Sequence, residues 1–151
     1  TSSSFDFEWR SFHGLSRKNP RHLIGFWLMG HFTRDGDLPY LILPATAYDQ
    51  RNRNSRGYTQ GRFRGPRFLY GEAEYRFPIS RCSGILGGVL FVNATTTNNP
   101  LLDVDLFESV RPAYGAGLRV MIDKASRMNL AVDLAWGHHS FGFYLNVTES
   151  F

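Results

Sequence analysis

The sequence predicts an all-β protein of long antiparallel strands, and three features carry that expectation. Apolar and polar residues alternate with period two through most of the chain, a pattern that separates two faces on a strand and mixes them on a helix. The alternating segments run to roughly ten residues, about twice the usual globular strand. Finally, 15 Gly and a rich aromatic complement (13 Phe, 7 Tyr, 3 Trp) disfavour long helices and suit strands and turns.

Seven strands are expected, over 5–13, 22–33, 67–79, 85–96, 111–122, 128–137 and 142–151. In the first, Phe5, Phe7 and Trp9 oppose Asp6, Glu8 and Arg10. The second is less clean, because Trp27 and Met29 share a face with His31. In the third, Leu69, Gly71, Ala73, Tyr75 and Phe77 oppose Tyr70, Glu72, Glu74 and Arg76. The fourth sets Leu90, Val92 and Ala94 against Phe91, Asn93 and Thr95, and the fifth sets Leu118, Val120 and Ile122 against Arg119 and Met121. The last two set Leu130, Val132, Leu134 and Trp136 against Asn129 and Asp133, and Phe143, Leu145 and Val147 against Tyr144, Asn146 and Thr148.

Strands near ten residues with one apolar face match a tilted membrane crossing. A soluble sandwich or lipocalin-like barrel gives the same alternation, with its apolar face turned inward. The connections favour the membrane reading. Short links at 14–21, 80–84 and 123–127 alternate with long ones at 34–66 and 97–110, although 138–141 is short as well; outer-membrane barrels have tight turns at one rim and long loops at the other. Aromatics near strand ends (Trp9, Phe12, Phe32, Phe77, Trp136, Phe143 and Phe151) suit two interfacial girdles.

Composition sets outer limits. Apolar residues make up 42% and charged residues 20%, which excludes disorder. The single cysteine, Cys82, excludes a disulfide framework and a Cys-rich zinc site. The longest apolar run, 84–92, is far short of the about 20 residues a membrane helix needs. Thr1 is not an initiator Met, so the chain reads as processed, trimmed or part of a longer protein.

The formal net charge of +4 is modest, but Arg51, Arg53, Arg56, Arg62, Arg64 and Arg67 fall together in and just after the long connection with no acid among them, interleaved with Tyr58 and Phe63. Nucleic acid is not the expected partner, because the rest of the chain is nearly balanced in charge. The better reading is that a loop arginine folds back and compensates Glu72 and Glu74, two like charges on one strand face that need a cation. His138-His139 is expected at an exposed tip with the two side chains pointing apart, so no metal site is expected. No nucleophile elbow or phosphate-binding glycine loop occurs, and neither catalysis nor a cofactor is expected. The sequons at Asn93 and Asn146 fall inside expected strands and are discounted as glycosylation sites.

An ordered set of motifs resembles one family. Leu38-Pro39-Tyr40, Ser55-Arg56-Gly57-Tyr58 and Gly61-Arg62-Phe63-Arg64 resemble the sixth external loop of the BamA-type assembly-factor superfamily, the bacterial surface antigen family, which carries an Arg-Gly-Phe/Tyr tripeptide there. The stretch from Gly71-Glu72-Ala73-Glu74 to Pro78-Ile79 resembles the strand that follows. Gly115-Ala116-Gly117-Leu118-Arg119 and Asn129-Leu130-Ala131-Val132-Asp133 resemble its closing strands. The ending, with Phe143, Leu145, Val147 and Phe151, resembles the C-terminal insertion signal of outer-membrane barrels. The resemblance covers most of 38–151, and the Gly61-Arg62-Phe63-Arg64 form after the tripeptide is similar to that of the Bacteroidetes branch.

The resemblance implies that 1–151 is the C-terminal portion, seven or eight strands, of a sixteen-stranded transmembrane barrel with a long external loop at 34–66. The eighth strand would be 40–48, in which case the chain could also close by itself. It implies a place in the bacterial outer membrane, a role in inserting or translocating proteins there, and no bond-making chemistry. The implied partners are outer-membrane lipid, substrate or partner outer-membrane proteins, the rest of the barrel and periplasmic domains. Arg56, Gly57 and Tyr58 become the loop motif, with Glu74 as its partner and Glu72 beside it. The family's second acid falls at Asn93 here and its glycine at Thr95, a departure for which Glu72 is expected to supply the missing charge. A small ligand-binding barrel with no part in protein assembly is the alternative.

Overall fold

A computed structural model of the protein describes residues 3–35, 39–47, 54–80, 84–98, 103–123 and 128–149. Seven strands form one sheet: β1 (Ser3–Gly14), β2 (Leu23–Asp35), β3 (Arg67–Pro78), β4 (Leu86–Thr97), β5 (Val110–Asp123), β6 (Met128–Gly137) and β7 (Ser140–Glu149). They are ordered β1-β2-β3-β4-β5-β6-β7 and every neighbouring pair is antiparallel, so the sheet is a simple meander. The strands have 10 to 14 residues. They are the seven that the alternation predicts. Among the described residues there is no α-helix. The sheet is open, with β1 and β7 as its edges.

The segment expected as a possible eighth strand does not extend the sheet in its described part. It holds a 3-10 turn at Tyr40–Ile42 and one isolated bridge, Ala45 to Arg64, which pins the long loop into a hairpin-like fold. Arg51, Arg53, Cys82 and Phe151 lie outside the described residues, as does Leu38.

Register fixes two faces. Across β3, β4, β5 and β6, Glu72 pairs with Asn93, Asn93 with Ala113, and Ala113 with Gly137, which puts these positions on one face. This inner face is packed: Phe68, Tyr70, Val89 and Phe91 are buried, together with Glu74, Asn93, Thr95 and Asp133. The outer face is apolar and uncovered, with Val92 58%, Leu118 47%, Leu145 60% and Val147 61% exposed.

Both aromatic groups of the outer face sit near strand ends. At the long-loop end, Tyr114 stacks on Trp136 and Trp136 meets Phe141, while Phe7 stacks on Phe32 on the other flank. At the short-turn end, Tyr75 stacks on Phe77. Two of the expected girdle positions differ. Trp9 pairs with Leu28 in mid-strand, and Phe12 falls on the inner face, its ring against Gly25. An even-numbered position on β1 cannot share the face of Phe5 and Phe7, because the strand period is two.

Candidate functional site

The long loop returns to the inner face at residues 54–58, which are all buried. Its centre is Arg56. The guanidinium donates from Nη2 to Glu72 Oε1 and to Glu74 Oε2, both at 2.6 Å, from Nε to Glu72 Oε2 at 3.2 Å, and from Nη1 to Asp133 Oδ2 at 2.9 Å. It also lies 3.6 Å from the centroid of the Phe91 ring. All four charged side chains are nearly inaccessible, at 7% for Arg56 and 7%, 10% and 5% for Glu72, Glu74 and Asp133.

Three guanidinium groups meet these three carboxylates. Arg76 bonds Glu74 from its own strand at 2.5 Å, and Arg119 bonds Asp133 from the neighbouring one. Buried ions cost several kcal/mol each unless they are paired and fully hydrogen-bonded, and this cluster is balanced three against three. Tyr70 completes it by donating its hydroxyl to Glu72 Oε2 at 2.6 Å. Burial alone would lower the pKa of Arg56, but the charges of Glu72 and Glu74 outweigh it and hold the group well above its ordinary value, always charged.

The geometry also bends the sheet. Strands β3 and β6 are three ladder spacings apart, about 14 Å in a flat sheet with parallel side chains. One guanidinium that reaches Glu72 and Glu74 on β3 and Asp133 on β6 therefore requires the inner face to be concave.

The loop is anchored at Ser55, Arg56 and Gly57, through one side chain and two backbone groups. Asn93 Nδ2 donates to the Arg56 carbonyl at 3.0 Å, Ser55 and Thr95 share a hydroxyl bond at 2.7 Å, and the Gly57 N–H donates to the Tyr144 hydroxyl at 2.9 Å. Tyr58 donates its hydroxyl to the Pro112 carbonyl at 2.5 Å and accepts the His138 N–H at 3.2 Å. Small residues of β5 and β6 make the seat. Gly57 has φ +102°, and a Cβ there would lie 2.9 Å from that of Ala113. A Cβ on Gly137 would lie 2.7 Å from the Tyr58 ring.

The sequence reading paired Arg56 with Glu74, with Glu72 beside it. The Arg56 contacts coexist with those of Arg76 and Arg119, because one guanidinium offers five donors and each carboxylate several acceptor sites. Asn93 meets the loop through the Arg56 backbone rather than through its charge. Asp133 is the acid that sequence reasoning did not connect to the loop. Its partner positions carried a usable signal, since Gly117, opposite it, leaves room and Arg119 is one inner-face step further along. His138 and His139 do not point apart: their rings touch, with centroids 4.1 Å apart, because His139 adopts φ 51° in the β6–β7 turn rather than continuing a strand. Phe143, Leu145 and Val147 line the exposed outer face of the edge strand β7.

The arrangement has the character of an ionic clasp. Every acid–base pair in it is saturated by its neighbours, and no reactive nucleophile sits among them. No protein-family model matches the chain, and no curated protein matches it either.

Proposed function

We propose that this chain is the wall of a transmembrane β-barrel in the bacterial outer membrane, and that the barrel assists insertion or translocation of proteins there. One observation carries the membrane part of the reading: the polarity is inverted. Arginine, glutamate, aspartate and asparagine are buried on the inner face, whereas leucine, valine and phenylalanine stand exposed on the outer face of strand after strand. A soluble lipocalin-like barrel would need the reverse, apolar inside and polar outside. Hydrocarbon is the solvent that suits an uncovered apolar face with aromatics near both strand ends. The open edges of β1 and β7 carry unpaired backbone groups that lipid does not tolerate, so further strands or a partner edge complete the wall.

The role in protein insertion or translocation rests on the loop motif. Arg56-Gly57-Tyr58 is seated on acids of the inner face, the arrangement that the resemblance to the BamA-type superfamily leads one to expect. The test uses the full-length protein in its native cells. It should remain in the membrane pellet under alkaline extraction and need detergent for release. Its depletion should lower the amount of other folded outer-membrane barrels several-fold. Release into aqueous buffer would defeat the membrane reading, and undiminished levels of the other barrels on depletion would defeat the assembly role alone.

A further inference from the structure

At the long-loop rim, away from the clasp, two arginines converge on one ring. Arg62 lies 5.3 Å from the centroid of Phe63, and Arg111, at the start of β5, lies 5.3 Å from the same centroid. The two guanidinium carbons are thus no more than twice that distance apart. Among the described residues neither makes an ion pair, in contrast to Arg56, Arg76 and Arg119. Asp103, Asp105 and Glu108, on the adjoining loop, make no ion pair with them.

The ring they share is held in place. Phe63 meets Tyr58 edge-on at 5.1 Å, and Tyr58 is fixed by its two backbone bonds to Pro112 and His138. The Phe63 carbonyl accepts the Thr46 N–H at 3.0 Å, which fixes its backbone as well. Arg62 is steadied by a long hydrogen bond from Nη1 to the His139 carbonyl at 3.4 Å, and it also lies 5.7 Å from the Tyr58 ring. Among the described residues no carboxylate pairs with either cation, and the shared ring compensates them only in part. A dianion that both reach would supply the rest.

We propose that Arg62 and Arg111 form a binding site for a phosphate group carried by a phosphomonoester. Guanidinium forks suit its oxygens, and the fixed ring lowers the entropy lost on binding. The site is separate from the Arg56 clasp and does not depend on the function proposed above.

The experiment uses the full-length protein folded in a neutral detergent. Inorganic phosphate is followed by phosphorus NMR line broadening, and a phosphomonoester lipid, phosphatidic acid, by native mass spectrometry with phosphatidylcholine as the reference lipid. Arg62→Ala and Arg111→Ala should each weaken binding about tenfold, the scale of one charge-assisted hydrogen bond. Arg67→Ala, on the exposed start of β3, should leave it unchanged. Arg62→Lys and Arg111→Lys keep the charge and protect folding, and they should weaken binding by a smaller factor. Binding of both probes, with phosphate competing against the lipid, assigns the phosphate group itself. Binding of phosphatidic acid alone assigns a lipid headgroup, and of inorganic phosphate alone a soluble source. No saturable binding of either probe, or binding that survives both alanine variants together, overturns the proposal.

Discussion

Arginine meets carboxylate in two regions of this sheet with opposite settings. Under the long loop, Arg56 joins Glu72, Glu74 and Asp133 where nothing is more than a tenth exposed. On β1, Arg10 meets Glu8 at 2.5 Å, two residues away on the same strand, with the side chains 42% and 47% exposed. The contact distances are nearly the same. What differs is burial and the number of elements joined: the first pair set ties a loop to β3 and β6, and the second ties β1 only to itself. Distance alone therefore says little about what an ion pair contributes, and a substitution series can measure the difference.

The largest effect should come from Arg56→Ala. It leaves three carboxylates with two arginines in a buried site, and loss of one partner of such a set costs about 3–5 kcal/mol. Urea unfolding of the protein in detergent or lipid vesicles measures it. A double-mutant cycle with Asp133→Asn should show coupling as clear as one with Glu74→Gln, because both acids touch the same guanidinium. Coupling to Glu74 alone would mean that Arg56 does not bridge β3 to β6.

Moving an arginine to the other face sharpens the contrast. Val132, one residue before Asp133, is on the outer face and pairs with Leu118 and Leu145. If the outer face meets lipid as proposed, Val132→Arg should cost about 2–4 kcal/mol near the bilayer midplane. In aqueous detergent-free solvent an exposed arginine would cost little, so a change below about 0.5 kcal/mol would contradict the lipid-facing assignment.

Gly57→Ala tests whether the clasp depends on the backbone as well as on charge. Position 57 has φ +102°, and the added methyl meets the Ala113 Cβ at 2.9 Å. Strain of this kind costs about 1–3 kcal/mol. The expected signature is a loosened loop, read as faster proteolysis within 36–66, with the strands still protected.

The strands were legible in the sequence because period two survives wherever a strand keeps one apolar face and one more polar face. That is why all seven appear even though the alternation in β2 is less clean. The Arg56–Glu74 contact was legible for a different reason: two glutamates two apart on one face demand a cation, and the loop is rich in arginine. Asp133 was not legible as a loop partner because it lies 77 residues from Arg56 in sequence and three strands from Glu72 in the sheet. Alternation assigns a residue to a face but carries no information on how far the face curls. The same limit hid the convergence of Arg62 and Arg111 on Phe63, which joins a loop to a strand start. The contact of His138 with His139 was missed through local backbone geometry, since a left-handed turn residue breaks the rule that neighbours alternate.

The smallest effect should come from the comparison's other arm. Arg10 is bonded to Glu8, and its guanidinium also lies 4.5 Å from the Trp27 ring centroid, so removing it takes away two modest contacts. Exposed pairs contribute about 0–1 kcal/mol, because water already solvates both groups and each long side chain loses rotamer freedom on pairing. A double-mutant cycle of Arg10→Ala with Glu8→Ala should therefore give a coupling below about 1 kcal/mol, falling further as salt is raised. The contact with Trp27 should persist in the Glu8→Ala background, so Arg10→Ala should still cost about 0.5–1 kcal/mol there, the range of an exposed cation–π pair. A coupling near that of Arg56 and Glu74 would mean that β1 is covered in the intact protein, as it would be if the β1 edge were paired with a further strand and the inner face around Arg10 lost its water.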